Sequence, residues 1–123
     1  MRSLEVGSFF RPDEVRTLDK TRIEVVRLTG TSVALITLRP GWRWSECLRV
    51  VAGTDSCQSN HLGSVISGRM KVVHDDGSEA DLGPGDAYVI APGHDAWVVG
   101  NDPLVALEFS SADTYGQPGL SSR

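Results

Sequence analysis

Gly83-Pro84-Gly85-Asp86-Ala87-Tyr88-Val89-Ile90-Ala91-Pro92-Gly93-His94-Asp95-Ala96-Trp97-Val98-Val99-Gly100 sets two short apolar runs between three breaks. Ala87 to Ala91 and His94 to Val99 are rich in β-branched and aromatic residues, as strands require, and neither is long enough for a helix. Pro92-Gly93 separates them, Gly83-Pro84-Gly85-Asp86 precedes them, and Gly100-Asn101-Asp102-Pro103 follows; such clusters turn the chain because Gly supplies positive φ and Pro fixes φ.

The same punctuation continues outward. Leu104 to Phe109 reads as the strand after this stretch, and Glu79 to Leu82 as the one before it. Asp75-Asp76-Gly77-Ser78 carries the Asp-Gly pair of a tight hairpin turn, which joins Glu79 to Leu82 to a strand over Arg69 to His74. Leu62 to Ser67 is a further strand, separated from it by Gly68. Nearer the N-terminus, Arg22 to Leu28 and Ser32 to Leu38 alternate about a Thr29-Gly30-Thr31 turn and form a hairpin. Gly41 to Val50 alternates loosely around Trp42 and Trp44, and no segment shows a helical period. Residues 1–20 read as an extended arm, 21–110 as the folded unit and 111–123 as a flexible tail.

About ten short strands in one domain need a core covered on both sides and protected edges. A double-sheeted jelly roll meets both needs, and the dense Gly-Pro punctuation from Gly83 to Gly93 favours it over an immunoglobulin-like sandwich. The 123 residues suffice for one core and bury roughly two-thirds of the unfolded surface, so no disulfide is required. With 40% hydrophobic and 23% charged residues the composition is that of a globular domain. Its net charge of −4, with twelve scattered Lys and Arg residues, argues against a nucleic-acid partner. The apolar runs are too short to cross a bilayer and the first residues lack a signal-peptide core, which implies a cytoplasmic protein with no membrane partner. Cys47 and Cys57 are then free thiols or ligands rather than a bridge.

Gly85 to Ala96 resembles the second motif of the cupin superfamily, in which Gly, five residues, Pro, one residue, Gly, two residues and His follow one another. Here Ala91 stands at the Pro position and Ala96 at the His position. The first motif runs His, one residue, His, three or four residues, Glu, six residues, Gly. Counted back from Gly68, it puts His61 at the Glu position, Cys57 at the second His and Asp55 at the first. The resemblance spans roughly residues 53–101 and is closest to small single-domain bacterial cupins with degenerate metal motifs. It implies an all-β, double-stranded β-helix barrel that holds a small molecule, in a homodimer. It leaves the reaction open, because the fold hosts many chemistries.

Strand parity gives the altered motif a meaning. His94 and Ala96 are two apart and so share a face, which lets His94 stand in where the usual ligand is missing. Asp55 and Cys57 share a face by the same rule, with His61 just beyond. Cys57, His61, His94 and Asp55 are therefore the expected metal ligands: thiolate, imidazole and carboxylate suit Zn²⁺ best, with Fe²⁺, Ni²⁺, Co²⁺ or no metal as alternatives. His61 and His94 are the expected catalytic pair, able to exchange protons near neutral pH without a metal. Against this stand structural roles: a buried Cys57 as core filler, a His94 that shapes its turn, and an Asp55 that caps one. Trp42, Trp44 and Trp97 serve as core or as an apolar wall for a ligand, with Tyr88 or Arg69 as polar contacts. His74, beside the hairpin tip, is expected at the surface. These residues suggest a metal-binding enzyme that acts on a small oxygenated organic molecule by Lewis-acid or acid-base chemistry, as an isomerase, cyclase or lyase. A non-catalytic binder is the alternative, and a dioxygenase is disfavoured by the loss of the usual three-His-one-Glu set.

Overall fold

A computed structural model describes residues 3–109; the expected tail, 111–123, lies outside them. Nine strands are formed: β1 (Glu14–Leu18), β2 (Thr21–Leu28), β3 (Thr31–Leu38), β4 (His61–Ser67), β5 (Met70–His74), β6 (Glu79–Leu82), β7 (Ala87–Ile90), β8 (His94–Val98) and β9 (Leu104–Phe109). They make a six-stranded sheet, ordered β1-β2-β3-β9-β4-β7, and a three-stranded sheet, ordered β6-β5-β8. Every strand pair is antiparallel. This is the expected double-sheeted β architecture, and the turns fall where Gly, Pro and Asp placed them.

Alternation explains which faces meet. Ile23 and Val25 of β2, Ala34, Ile36 and Leu38 of β3, Val65 of β4, Val72 of β5, Ala96 and Val98 of β8, and Leu104 and Ala106 of β9 are all buried. Across the large sheet Ile23 pairs with Ile36, and Ile36 with Ala106, so the buried side chains stand in rows and form one core. The arm contributes to this sheet: Glu14–Leu18 pairs with β2 as an edge strand, which two-residue alternation over so short a run did not announce.

The region around Trp42 and Trp44 departs from its reading. Instead of a loosely alternating strand, it holds two single-turn helices, α1 (Trp44–Cys47) and α2 (Arg49–Ala52). One turn is too short for a 3.6-residue period to show in sequence. α1 buries Trp44 and Cys47, and Gly53 (φ 75°) ends α2 in the left-handed region. Both thiols are free and buried. Among the described residues no helix is long and apolar enough to cross a membrane.

Candidate metal centre

Two distant stretches of backbone bring the candidate ligands together. Cys57 lies outside the named strands but is tied to the start of β8 by Cys57 N–H to His94 O (2.7 Å) and Gly93 N–H to Cys57 O (2.7 Å). Gly93 can enter this pairing because it adopts φ 99°, a conformation that costs glycine little. His61 opens β4 opposite Ile90 of β7. The ligand atoms of Cys57, His61 and His94 all lie within 4.8 Å of one another, and all three residues are buried. Cys57 Sγ is 3.6 Å from His61 Nε2, and the two imidazole rings meet edge-on at 5.0 Å.

Each imidazole is anchored through its other nitrogen. His94 Nδ1–H donates to Ala91 O at 2.9 Å, and His61 Nδ1–H donates to Glu108 Oε1 at 2.6 Å. Those bonds leave Nε2 as the atom that both rings could offer a metal, the arrangement that carboxylates and carbonyls impose on metal-binding histidines. Tyr88 O–H donates to Glu108 Oε2 at 2.7 Å. Glu108 accepts both bonds as an ionised carboxylate.

The Tyr88 to Glu108 contact crosses an intervening strand. Glu108 on β9 is opposite Gly63 on β4, and Gly63 is opposite Tyr88 on β7. A Cβ at Gly63 would stand 2.8 Å from both Glu108 Cγ and the Tyr88 hydroxyl. Only a residue without a side chain leaves the gap through which the phenol reaches the carboxylate.

Burial pushes the Cys57 thiol up, but hydrogen bonds and charge from His61 and His94 outweigh it and hold its pKa down to about 6. Burial alone disfavours an imidazolium at His61, yet the Glu108 charge, reinforced by Cys57, raises its pKa to about 10. Both shifts favour the thiolate–imidazolium form of the pair. Burial first, and the Glu108 charge second, move the Tyr88 hydroxyl upward, so it stays a donor.

A metal fits this donor set. On a tetrahedral zinc with bonds of about 2.0–2.3 Å, ligand atoms stand roughly 3.5 Å apart, close to the 3.6 Å between Cys57 Sγ and His61 Nε2. A cavity of about 30 Å³ adjoins the histidines and is walled by Trp42, Trp44, Met70 and Ile90, with Tyr88 and Glu108 among its few polar groups. The indole N–H of Trp42 is already bonded to Thr21 Oγ1 at 2.9 Å.

Three expected site residues lie elsewhere. Asp55 is 97% exposed and pairs with Arg49 at 2.9 Å; residues 54–56 form bends rather than a strand, so the parity that linked Asp55 to Cys57 does not apply. Trp97 sits between inward-facing Ala96 and Val98 and therefore points outward, where the Arg43 guanidinium covers its ring at 4.2 Å. Arg69 is exposed beside the Gly68 turn, with its side chain over Gly83. His74, expected at the surface, is half-buried and bonds Pro92 O at 2.8 Å through Nε2. Glu108 was missed. Its signal was present in β9, where Leu104, Ala106 and Glu108 alternate and put a carboxylate in a row of core positions.

No protein-family description matches the chain in sequence, and no curated protein matches it either. Solved structures do match. A DUF1255 protein of unknown function from Acidithiobacillus ferrooxidans is 22% identical with a TM-score of 0.57, the match covering 80% of this chain and 87% of that one. KdgF from Halomonas sp. is 19% identical with a TM-score of 0.56 and the same coverages of 80% and 87%. Ectoine synthase from P. lautus is 12% identical with a TM-score of 0.64, covering 88% of this chain and 78% of that one. At these identities the likeness shows the fold alone.

Proposed function

Starting from a chain that has the cupin fold, we propose that it is a metal-binding enzyme acting on a small oxygenated organic molecule, by Lewis-acid or acid-base chemistry of the isomerase, cyclase or lyase type. The observation that carries this reading is the convergence of Cys57, His61 and His94, buried and within 4.8 Å of one another, with both imidazoles turned to present Nε2. A divalent ion held there, zinc best among the candidates, would polarise a carbonyl or activate water. Three protein ligands leave a position for substrate, as catalytic sites require.

The chain's own residues have separable roles. Cys57 and His94 are positioned by backbone pairing, and His61 by Glu108. Tyr88 holds the second oxygen of Glu108, so that the carboxylate cannot swing away from the imidazole. Trp42 and Trp44 exclude water and give the apolar part of the substrate a wall.

Metal analysis of protein purified without an affinity tag tests this reading. About one divalent ion per chain is expected for a site of this donor set, and a content below about a tenth of that would overturn it. One observation favours a metal-free version as a second reading: His61, backed by Glu108, holds its proton up to about pH 10 and can act as a general acid. In that case His61→Ala abolishes turnover without changing metal content, whereas the metal reading predicts that both fall.

A further inference from the structure

The polar groups around the cavity are matched before any ligand arrives. Its polar lining consists of His61, His94, Tyr88 and Glu108, and among the described residues no Lys or Arg faces it. Each of these groups is already engaged: His61 with Glu108, His94 with Ala91 O, and Tyr88 with Glu108. Bound to a divalent ion, Cys57 would be a thiolate, and together with the Glu108 carboxylate that accepts from His61 and Tyr88 it would offset the two charges of the ion. The remaining wall is apolar, including Ile36, Leu38, Leu104 and Ala106. A charged ligand group that leaves water for such a wall needs a partner of opposite sign or pays its full desolvation cost.

Resting on the metal reading above, we infer that the cavity selects a small, uncharged and largely apolar ligand that bears a single donor atom, and rejects carboxylates, phosphates and ammonium compounds of the same size. The donor would meet an ion held by Cys57, His61 and His94, and the apolar remainder would lie against Trp42 and Trp44. Specificity thus comes from an absence of counter-charge, which makes it reversible by one substitution. Ile90 lines the cavity, is only partly buried and pairs with His61 across the β4–β7 ladder, so a cation introduced there would face the ligand without burial in the core.

Propionamide and propionate serve as probes, because they are isosteric and share a carbonyl oxygen but differ in charge. Titrated against cobalt-loaded protein at constant ionic strength, propionamide is expected to perturb the visible spectrum with an affinity about tenfold or more above that of propionate. In Ile90→Lys the order is expected to invert. The same pair, titrated against metal-free protein and read by tryptophan fluorescence, tests the ligand class independently of the ion. Equal or tighter binding of propionate to the wild type in both forms overturns the inference. Failure to take up cobalt, with propionamide still preferred by the metal-free protein, overturns the metal reading and leaves the ligand class standing.

Discussion

Two ion pairs in this molecule share a donor-acceptor distance and little else. His61 and Glu108 meet at 2.6 Å with side chains 5% and 7% exposed. Glu14 and Arg16 also meet at 2.6 Å, but 32% of the Glu14 side chain is open to solvent, and Arg27 on β2 shares the carboxylate. The outer group joins edge strand β1 to its neighbour β2, with the Arg16 side chain buried and the carboxylate partly open to water. Inside, the charges occupy positions that strand alternation gives to core residues, in the same rows as Ala106 and Val65. A fold gains little from burying such a pair, since an apolar replacement of similar shape is often as stable. Its presence beside a thiol and a second imidazole fits the proposed site, while the outer group serves the sheet edge.

The contrast is broken most forcefully at Glu108. Glu108→Ala leaves the His61 imidazolium buried without that counter-charge, and urea unfolding of the metal-free protein at neutral pH should show a loss of about 3–5 kcal/mol. Glu108→Gln keeps an acceptor for the Nδ1 proton and should unfold closer to the wild type. Its metal affinity, measured by competition with a chromophoric chelator, should still fall about 10–100-fold, the usual consequence of weakening the partner of a ligating histidine.

Gly63→Ala attacks the same relay from the backbone. The added methyl would meet the Leu107 carbonyl oxygen most closely and would stand 2.8 Å from Glu108 Cγ and from the Tyr88 hydroxyl, so the β9 backbone and the phenol are both pressed away. An overpacking cost of about 1–3 kcal/mol is expected, together with a Tyr88 hydroxyl that titrates at lower pH by ultraviolet difference spectroscopy. An unchanged Tyr88 titration would show that the gap at Gly63 is not what joins the two residues.

The smallest effect belongs to the outer pair, and its pH dependence has the opposite sign. Hydrogen bonds from Arg16 and Arg27 lower the Glu14 pKa from 4.5 to about 2. Its contribution is present above pH 4.5 and is lost as pH falls through about 2. Solvent screening limits Glu14→Gln to under about 1 kcal/mol at neutral pH, and the difference from wild type should vanish in acid. For His61, raised from 6.5 to about 10, the contribution is present below pH 6.5 and fades as pH rises through about 10. Comparing each variant with the wild type across pH separates the two pairs; a Glu108→Gln difference that disappears in acid but persists at pH 10 would contradict the assignment.

Local chemistry carried most of the architecture. Asp-Gly at 76–77 and the Gly-Pro clusters at 83–86 and 92–93 mark turns by φ requirements that hold wherever they occur, and alternation in Ser32 to Leu38 shows the buried face directly. The site was legible where the same rule applied: His94 and Ala96 share an inward face, and the motif spacing singled out Cys57 and His61. Asp55 failed because two-residue parity presupposes an extended chain, and residues 54–56 bend. Trp97 failed against that rule, since a residue between two inward positions must face out. Glu108 was overlooked although its alternation was visible, because its significance depends on what stands across β4. That Gly63 opens a path from Tyr88 to Glu108 is a matter of register between strands far apart in the chain, and no local pattern encodes it.

Cobalt titration of the metal-free protein, followed in the charge-transfer region of the spectrum, tests the central claim most directly. Saturation near one ion per chain with a thiolate-to-cobalt band, lost in Cys57→Ala and retained in Asp55→Ala, is the predicted result. Absence of the thiolate band, or a spectrum unaltered by Cys57→Ala, would contradict it.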